Sequence, residues 1–281
     1  MDNFAVFILS HGRADRVFTV KSLLKAGYTG KYYIIIDDED DQAEDYCKKY
    51  GEKVIIFSKK EAATYVDTGD NLPERNVVVY ARNSCWKIAK QLNLDYFLVL
   101  DDDYTAFDFR VVDGRHLRGK HITDMNRLCK AMVDFLEVSG ALTVAMAQAG
   151  DFIGGVDNKN YHKGLLRKAM NSFFCKTDRP FQFLGRINED TTAYAVLGRQ
   201  GKLMFTVTKA VIVQKKTQSN AKGMTDIYLQ YGTFAKSFYS VMWCPSAVKI
   251  AKMGDKHPRI HHNVKFNFCA VKILNERYKK Q

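Results

Sequence analysis

Short apolar runs and amphipathic stretches take turns along the first hundred residues. FAVFIL (4–9), KYYIII (31–36), KVIIF (53–57) and DYFLVL (95–100) are almost continuously apolar. Runs of that kind read as strands buried on both faces. DRVFTVKSLLKAG (15–27) and DQAEDYCKKYG (41–51) have helical spacing and close on glycine. ERNVVVYARNSCWKIAKQLN (74–93) becomes helical in its later part. Strand–helix–strand repetition predicts an α/β fold, with a mostly parallel central sheet covered by helices.

The second half is less regular. HITDMNRLCKAMVDFLEVSG (121–140) predicts a strong amphipathic helix, and ALTVAMAQ (141–148) another strand. Residues 149–170, rich in Gly, Asn and Lys, read as a loop region. SFFCKT, FQFLG and KLMFTVTKAVIVQ read as strands. NEDTTAYAVLGRQG reads as a helix with Asn188 as its cap. The stretch 265–281 reads as a terminal helix.

Composition narrows the class without naming a function. The 281 residues are 46% hydrophobic and 26% charged, enough apolar surface for a sizeable core and one large domain. No apolar run approaches the ~18–20 residues that a membrane span needs. The N-terminal MDNFAVFILSHG has no basic leader and reads as a first strand rather than a signal peptide. Six scattered cysteines without a CxxC pair signal neither a zinc site nor a disulfide framework, and suit a cytosolic protein with reduced thiols.

Charge is divided unevenly. Of the net +12, residues 1–150 hold 20 Lys+Arg against 23 Asp+Glu, a net of −3, whereas residues 151–281 hold 23 against 8, a net of +15. The later half therefore suits a polyanionic partner. A high pI with no such partner is the plain alternative.

Ligands of an open α/β sheet bind at the carboxyl ends of its strands. Three of the first four strands end in polar clusters that would share one rim: SHGRADR (10–16), DDED (37–40) and DDD (101–103). Three adjacent carboxylates after a buried strand cost repulsion and desolvation. A divalent cation would offset that cost, since Mg²⁺ or Mn²⁺ takes oxygen ligands and keeps substrate phosphates in its shell. An exposed acidic turn is the competing explanation. If the strand persists, Asp101 and Asp103 share one side, and Asp102 turns toward a sugar hydroxyl or a backbone N–H.

Ser10, His11, Gly12, Arg13 and Arg16 set donors beside those acids, and arginine grips a diphosphate bidentately. A solvated loop with Asp15 as helix cap would look the same. Arg82 and Asn83 fit either a site or an ordinary helix face. Glu189 and Asp190 open a predicted helix, so they serve either its dipole or a general base. GxGxxG, GxxxxGK[ST] and HExxH are absent, which removes the dinucleotide, P-loop and zincin readings.

Taken in order, SHGRADR, DDED, ARN, LVLDDDY and INEDTTAY resemble a GT-A glycosyltransferase, the triplet matching its DxD element and Glu189–Asp190 the ED element of inverting members. More narrowly, residues 4–210 resemble the TET-associated glycosyltransferases, which bacteriophages carry beside dioxygenases that make 5-hydroxymethylpyrimidines in DNA. The resemblance implies one GT-A domain over 1–281, with a nucleotide-sugar half (1–110) and an acceptor-binding, catalytic half (111–281). It implies a Mg²⁺ or Mn²⁺ cofactor and a nucleotide-sugar donor, by default UDP-glucose. The implied acceptor is the hydroxyl of 5-hydroxymethylpyrimidine in double-stranded DNA, within the cytoplasm of an infected host.

Residue by residue, the resemblance makes Asp103 a metal ligand and gives Asp101 to the metal or the donor. Ser10, His11, Gly12, Arg13, Arg16, Asp37, Asp38, Arg82, Asn83 and Asp102 would surround the donor. Asp190 would be the base, with Glu189 beside it. A late histidine, among His257, His261 and His262, would be a further ligand, His262 being the one carried forward. The acceptor side would draw on NKNYHKGLLRKAM (Asn158 to Met170), with Lys159, Tyr161, Lys163 and Arg167, and on Lys215, Lys216 and Lys222. NERYKK (275–280) adds further positive charge. Tyr161, Phe152 or Tyr104 would stack on a flipped base or simply pack in the core. Two other readings stay open: a GT-A enzyme acting on polysaccharide, lipid or protein, and a non-catalytic nucleic-acid-binding module.

Overall fold

A computed structural model describes residues 3–148, 154–158, 171–214, 235–253 and 259–269. Strands β1 (Phe4–Leu9), β2 (Lys31–Asp37), β3 (Val54–Phe57) and β4 (Tyr96–Asp101) are parallel and lie in the order β3-β2-β1-β4. All six residues of β1 are buried, which is why its sequence shows no polar alternation. Its odd and even positions feed two cores. Phe7 packs with Trp86, Phe97, Phe173 and Phe183 on one face of the sheet, and Ile8 with Leu23, Ile34, Leu100 and Phe174 on the other. Each such fully buried side chain contributes about 1.5–3 kcal/mol.

The connections are α1 (Phe18–Lys25), α2 (Ala43–Tyr50), the single turn α3 (Lys59–Ala62) and α4 (Val79–Gln91). The expected strands and helices of this half are present, with ends shifted by a few residues. Beyond β4 the sheet becomes mixed. A hairpin of β5 (Tyr104–Asp113) and β6 (His116–His121) precedes α5 (Met125–Ser139), β7 (Thr143–Gln148), β8 (Ser172–Lys176), α6 (Glu189–Arg199) and β9 (Met204–Gln214). The full order is β3-β2-β1-β4-β8-β7-β9-β5-β6, one sheet spanning both halves of the sequence. Helix α7 (Ala235–Trp243) and the antiparallel pair β10 (Val248–Met253) and β11 (Arg259–Val264) follow.

The β5–β6 hairpin has no counterpart in the hydrophobic pattern, because Leu117 is the single large apolar residue in HLRGKH. Its ladder with β5, and that of β5 with β9, holds it in the sheet. Helix α5 forms as the spacing predicts: Met125, Cys129, Met132 and Leu136 are buried, Asp124 Oδ1 accepts from Arg127 N at 2.9 Å, and Gly140 closes it at φ 64°.

Two expectations need correction. FQFLG (181–185) is not a strand; Phe181 and Phe183 are buried against Trp86 with ring centroids 4.8 and 6.2 Å away. Side-chain packing holds this segment where a ladder was expected. Asn188 precedes α6 but does not cap it; it sits at φ 59° and its amide donates to Lys236 O at 2.6 Å. At the end of the described chain, 266–269 form one helical turn. Of the expected loop 149–170, only 154–158 are described, with a 3-10 turn at Gly155–Asp157.

Candidate active site

The rim of the parallel strands gathers the acidic runs as the pattern implies. After β1, the chain turns through Gly12 at φ 64°. Its N–H donates to Asp40 Oδ2 at 2.8 Å, and Arg13 N–H donates to Tyr46 Oη at 2.9 Å. Carboxylates and a phenol from the β2–α2 segment therefore shape this loop from beneath.

Within DDED, the acids point in different directions. Asp37 is buried, with Oδ2 at 2.8 Å from His11 Nδ1 and Oδ1 at 2.8 Å from Lys59 Nζ. Burial alone would raise its pKa, but hydrogen bonds from His11 and Lys59 outweigh that and hold it below the usual carboxylate range. Asp40 is also buried and accepts from Gln42 N at 2.9 Å. Asp38 is exposed, with Oδ1 accepting from Lys59 N at 2.8 Å. Of the two donor-site candidates in this run, Asp38 faces outward and Asp37 is committed to His11 and Lys59.

Strand β4 ends at Asp101, and Asp102–Asp103 form the tight connection to β5. The strand does not persist through the triplet, so turn geometry rather than strand alternation sets the three directions. Asp102 is buried, with Oδ2 accepting from Ser10 Oγ at 2.6 Å and Oδ1 from Arg13 Nη1 at 2.9 Å. Its protein partners are thus side chains of the β1 loop rather than a backbone N–H. Asp101 Oδ1 accepts from Arg82 Nη2 at 3.0 Å. Asp103 is half-buried and pushed up to about 7 by burial and by the charges of Asp101 and Asp102, with Arg13 opposing.

Glu189 and Asp190 form the first turn of α6, both buried. Glu189 Oε1 accepts from Arg82 Nε at 2.8 Å. Arg82, 2% exposed, therefore bridges the triplet and the acidic pair. Its guanidinium also lies over the rings of Phe173 and Phe183, 5.1 and 5.7 Å from their centroids. Burial pushes Glu189 up to about 7 against the opposing charge of Arg82, with Asp190 and Asp101 adding to the rise. Asp190 Oδ1 accepts from Thr191 N at 2.7 Å, as an anion at a helix N-terminus does.

Other candidates have different surroundings. Asn83 is buried; Oδ1 accepts from Phe183 N and Nδ2 donates to Phe183 O, each at 3.0 Å. The amide therefore clips the segment leading to α6. Arg16 Nε pairs with Asp15 Oδ1 at 3.2 Å at the surface. His262 Nδ1 lies 3.2 Å from Asn188 Nδ2, just before the acidic pair. Its strand pairs with β10, and no group of three or more His, Cys, Asp or Glu among the described residues assembles as a metal cluster. Asp101, Asp103 and His262 thus do not form a ready three-ligand set.

Tyr104 is fully buried and its hydroxyl donates to Asn171 O, which makes it a packing residue rather than a base-stacking one. Phe152, Lys159, Tyr161, Lys163, Arg167, Lys215, Lys216, Lys222 and His257 lie outside the described residues, as does 275–280. Lys59 and Tyr46 were missed. A lysine after a short strand and a tyrosine on an amphipathic helix carry no motif; their partners are 22 and 36 positions away in sequence.

A family model, the TET-associated glycosyltransferase, matches residues 4–223. The chain belongs to the TET-associated glycosyltransferase family. It is a glycosyltransferase with a GT-A fold. Similar solved structures include glucosyl-3-phosphoglycerate synthase from Mycobacterium tuberculosis in complex with Mg²⁺ and UDP. The similarity has a TM-score of 0.50 at 12% identity, over 94% of this glycosyltransferase and 88% of that chain. The same synthase with Mn²⁺ and UDP-glucose gives 0.48 at 11% identity, over 92% and 86%. A comparison with curated protein sequences gave no match. Among the described residues, no helix of the glycosyltransferase is long and apolar enough to cross a membrane.

Proposed function

We propose that this glycosyltransferase moves a sugar from a UDP-sugar to the hydroxyl of a 5-hydroxymethylpyrimidine in phage DNA, with inversion and with a divalent cation. The observation that carries the reading is the Arg82 bridge, which joins the carboxylate run of the donor rim to the acidic pair on α6 in one site. The family supports a DNA acceptor, and the +15 charge of residues 151–281 suits a polyphosphate. A setting inside an infected bacterial cell belongs to the same reading.

A divalent cation fits the donor set. Two arginines, Arg13 and Arg82, answer Asp102 and Asp101, while Asp103 is driven toward the protonated form by its neighbours. Asp103 and Asp101 would hold Mg²⁺ or Mn²⁺, with the donor diphosphate in its shell. When bound, the cation supplies charge neutralisation to the leaving phosphate. The protein's own groups do the rest. Asp38 and the Ser10–Arg13 loop would line the donor and orient the nucleotide. Asp190 removes the acceptor proton as that oxygen attacks the anomeric carbon in line. Glu189, committed to Arg82, holds the start of α6.

The test is mass spectrometry of nucleosides from hydroxymethylated duplex DNA incubated with Mn²⁺ and a panel of nucleotide sugars. A hexose mass added to the modified base is expected. Transfer to glycans but never to DNA would replace the acceptor, and an inert protein that binds duplex DNA would favour the non-catalytic module.

A further inference from the structure

Arg82 resembles a donor-binding arginine in sequence, yet the guanidinium is almost wholly enclosed. Two of its three nitrogens meet protein carboxylates, Nη2 at Asp101 and Nε at Glu189, and two phenylalanine rings lie beneath the guanidinium, while Nη1 is buried without a hydrogen-bond partner. The two carboxylates come from different parts of the fold. Asp101 ends the central strand β4, and Glu189 starts α6 after an irregular segment without ladder support. That segment is pinned instead by Asn83, one residue after Arg82, through both polar groups of Phe183. Adjacent residues of α4 therefore fix both the segment before α6 and its first turn.

We infer that Arg82 is a positioning residue: a buried counter-ion shared by Asp101 and Glu189 that sets the distance between the donor-side carboxylates and Asp190. This rests on the glycosyltransferase site proposed above and assigns Arg82 a role through Asp101 and Glu189, the two carboxylates that its Nη2 and Nε hold. A lysine at this position keeps the charge but has one nitrogen, so it cannot satisfy two separated carboxylates with fixed fork geometry. Small misplacements of a catalytic group cost about 10²-fold in rate.

The experiment uses the full chain with Mn²⁺ and UDP-glucose. It measures UDP binding by calorimetry, donor hydrolysis without acceptor, and transfer to hydroxymethylated DNA. Arg82→Lys is expected to lower kcat about 10²-fold while UDP affinity changes less than about threefold. Glu189→Gln still accepts from Arg82 Nε and is expected to lose only about tenfold, against about 10³-fold for Asp190→Asn. In the Arg82→Lys/Glu189→Gln double variant the losses are expected to be non-additive, since both act on one contact. Thermal unfolding of each variant separates misfolding from misplacement, and Glu189→Gln, which keeps the hydrogen bond, carries the test should Arg82→Lys fail to fold. UDP affinity falling in step with kcat in Arg82→Lys would overturn the inference, as would Glu189→Gln losing as much as Asp190→Asn. A wild-type protein that hydrolyses the donor but modifies no DNA refutes the acceptor and leaves this inference to be decided on the hydrolysis rate. A wild-type protein that binds no UDP overturns both.

Discussion

DDED after β2 and DDD after β4 flank the same strand, β1, and look alike in sequence, but Asp37 in the first and Asp103 in the second are shifted in opposite directions. In the first run, His11 and Lys59 meet Asp37, and its carboxylate is held below its ordinary range. In the second, Arg13 and Arg82 meet Asp102 and Asp101, and Asp103 is pushed up to about 7. An acidic run is therefore not a site in itself. The proposed metal site is placed at the run whose Asp103 is pushed up by its neighbours, not at the run whose Asp37 is held down by its partners.

The comparison can be sharpened by substitution. The largest effect is expected at Asp190, whose charge acts on Asp101: Asp190→Asn should lower kcat by about 10³-fold with donor affinity kept, measured by steady-state kinetics. Next comes Asp103→Asn, expected to weaken UDP binding by about 10²-fold with Mn²⁺ present and hardly at all in chelator, a change on the scale of losing a charged ligand contact. Equal losses in both conditions would remove the ligand role.

Asp37→Asn should act on the fold rather than on the metal. It leaves the buried Lys59 ammonium without its carboxylate, at a cost of about 3 kcal/mol, read as a lower Tm. Asp103→Asn should instead leave the Tm of the metal-free protein unchanged or raised, since it removes an uncompensated charge. If both substitutions destabilise alike, the contrast between the two runs fails.

The smallest effect is in pH dependence and has opposite signs in the two runs. The contribution of Asp37 is present above its unfolded value of 3.8 and is lost as pH falls through the lower folded value. Asp103 binds its proton more tightly in the folded chain, so its contribution declines as pH rises from about 3.8 to about 7. Denaturant titrations in chelator should show that decline in the wild type and a flatter profile in Asp103→Asn.

How far the sequence could be read follows from the range of the forces involved. The four parallel strands, α5 and α6 were legible because burial of one or both faces writes its period directly into the residues. The β5–β6 hairpin was not, since HLRGKH owes its strand conformation to ladder partners rather than to an apolar face. FQFLG was read as a strand because its aromatics are buried, and burial against Trp86 by side-chain packing leaves the same pattern as burial in a sheet. Within the site, the residue types that gather at the rim were legible, and their assignments were not. Nothing local distinguishes Asp37 from Asp103, or marks Lys59 as a partner.

The residue pattern by itself determined an α/β chain whose parallel strands end in carboxylates and donors, because side-chain period and strand polarity are local properties. Only the tertiary structure decided which carboxylates are neutralised. That depends on contacts such as Arg13 with Asp102 and Arg82 with Glu189, whose members are 89 and 107 positions apart. Coulomb and desolvation energies are set by distance in space and by burial, and neither is written in the order of the residues.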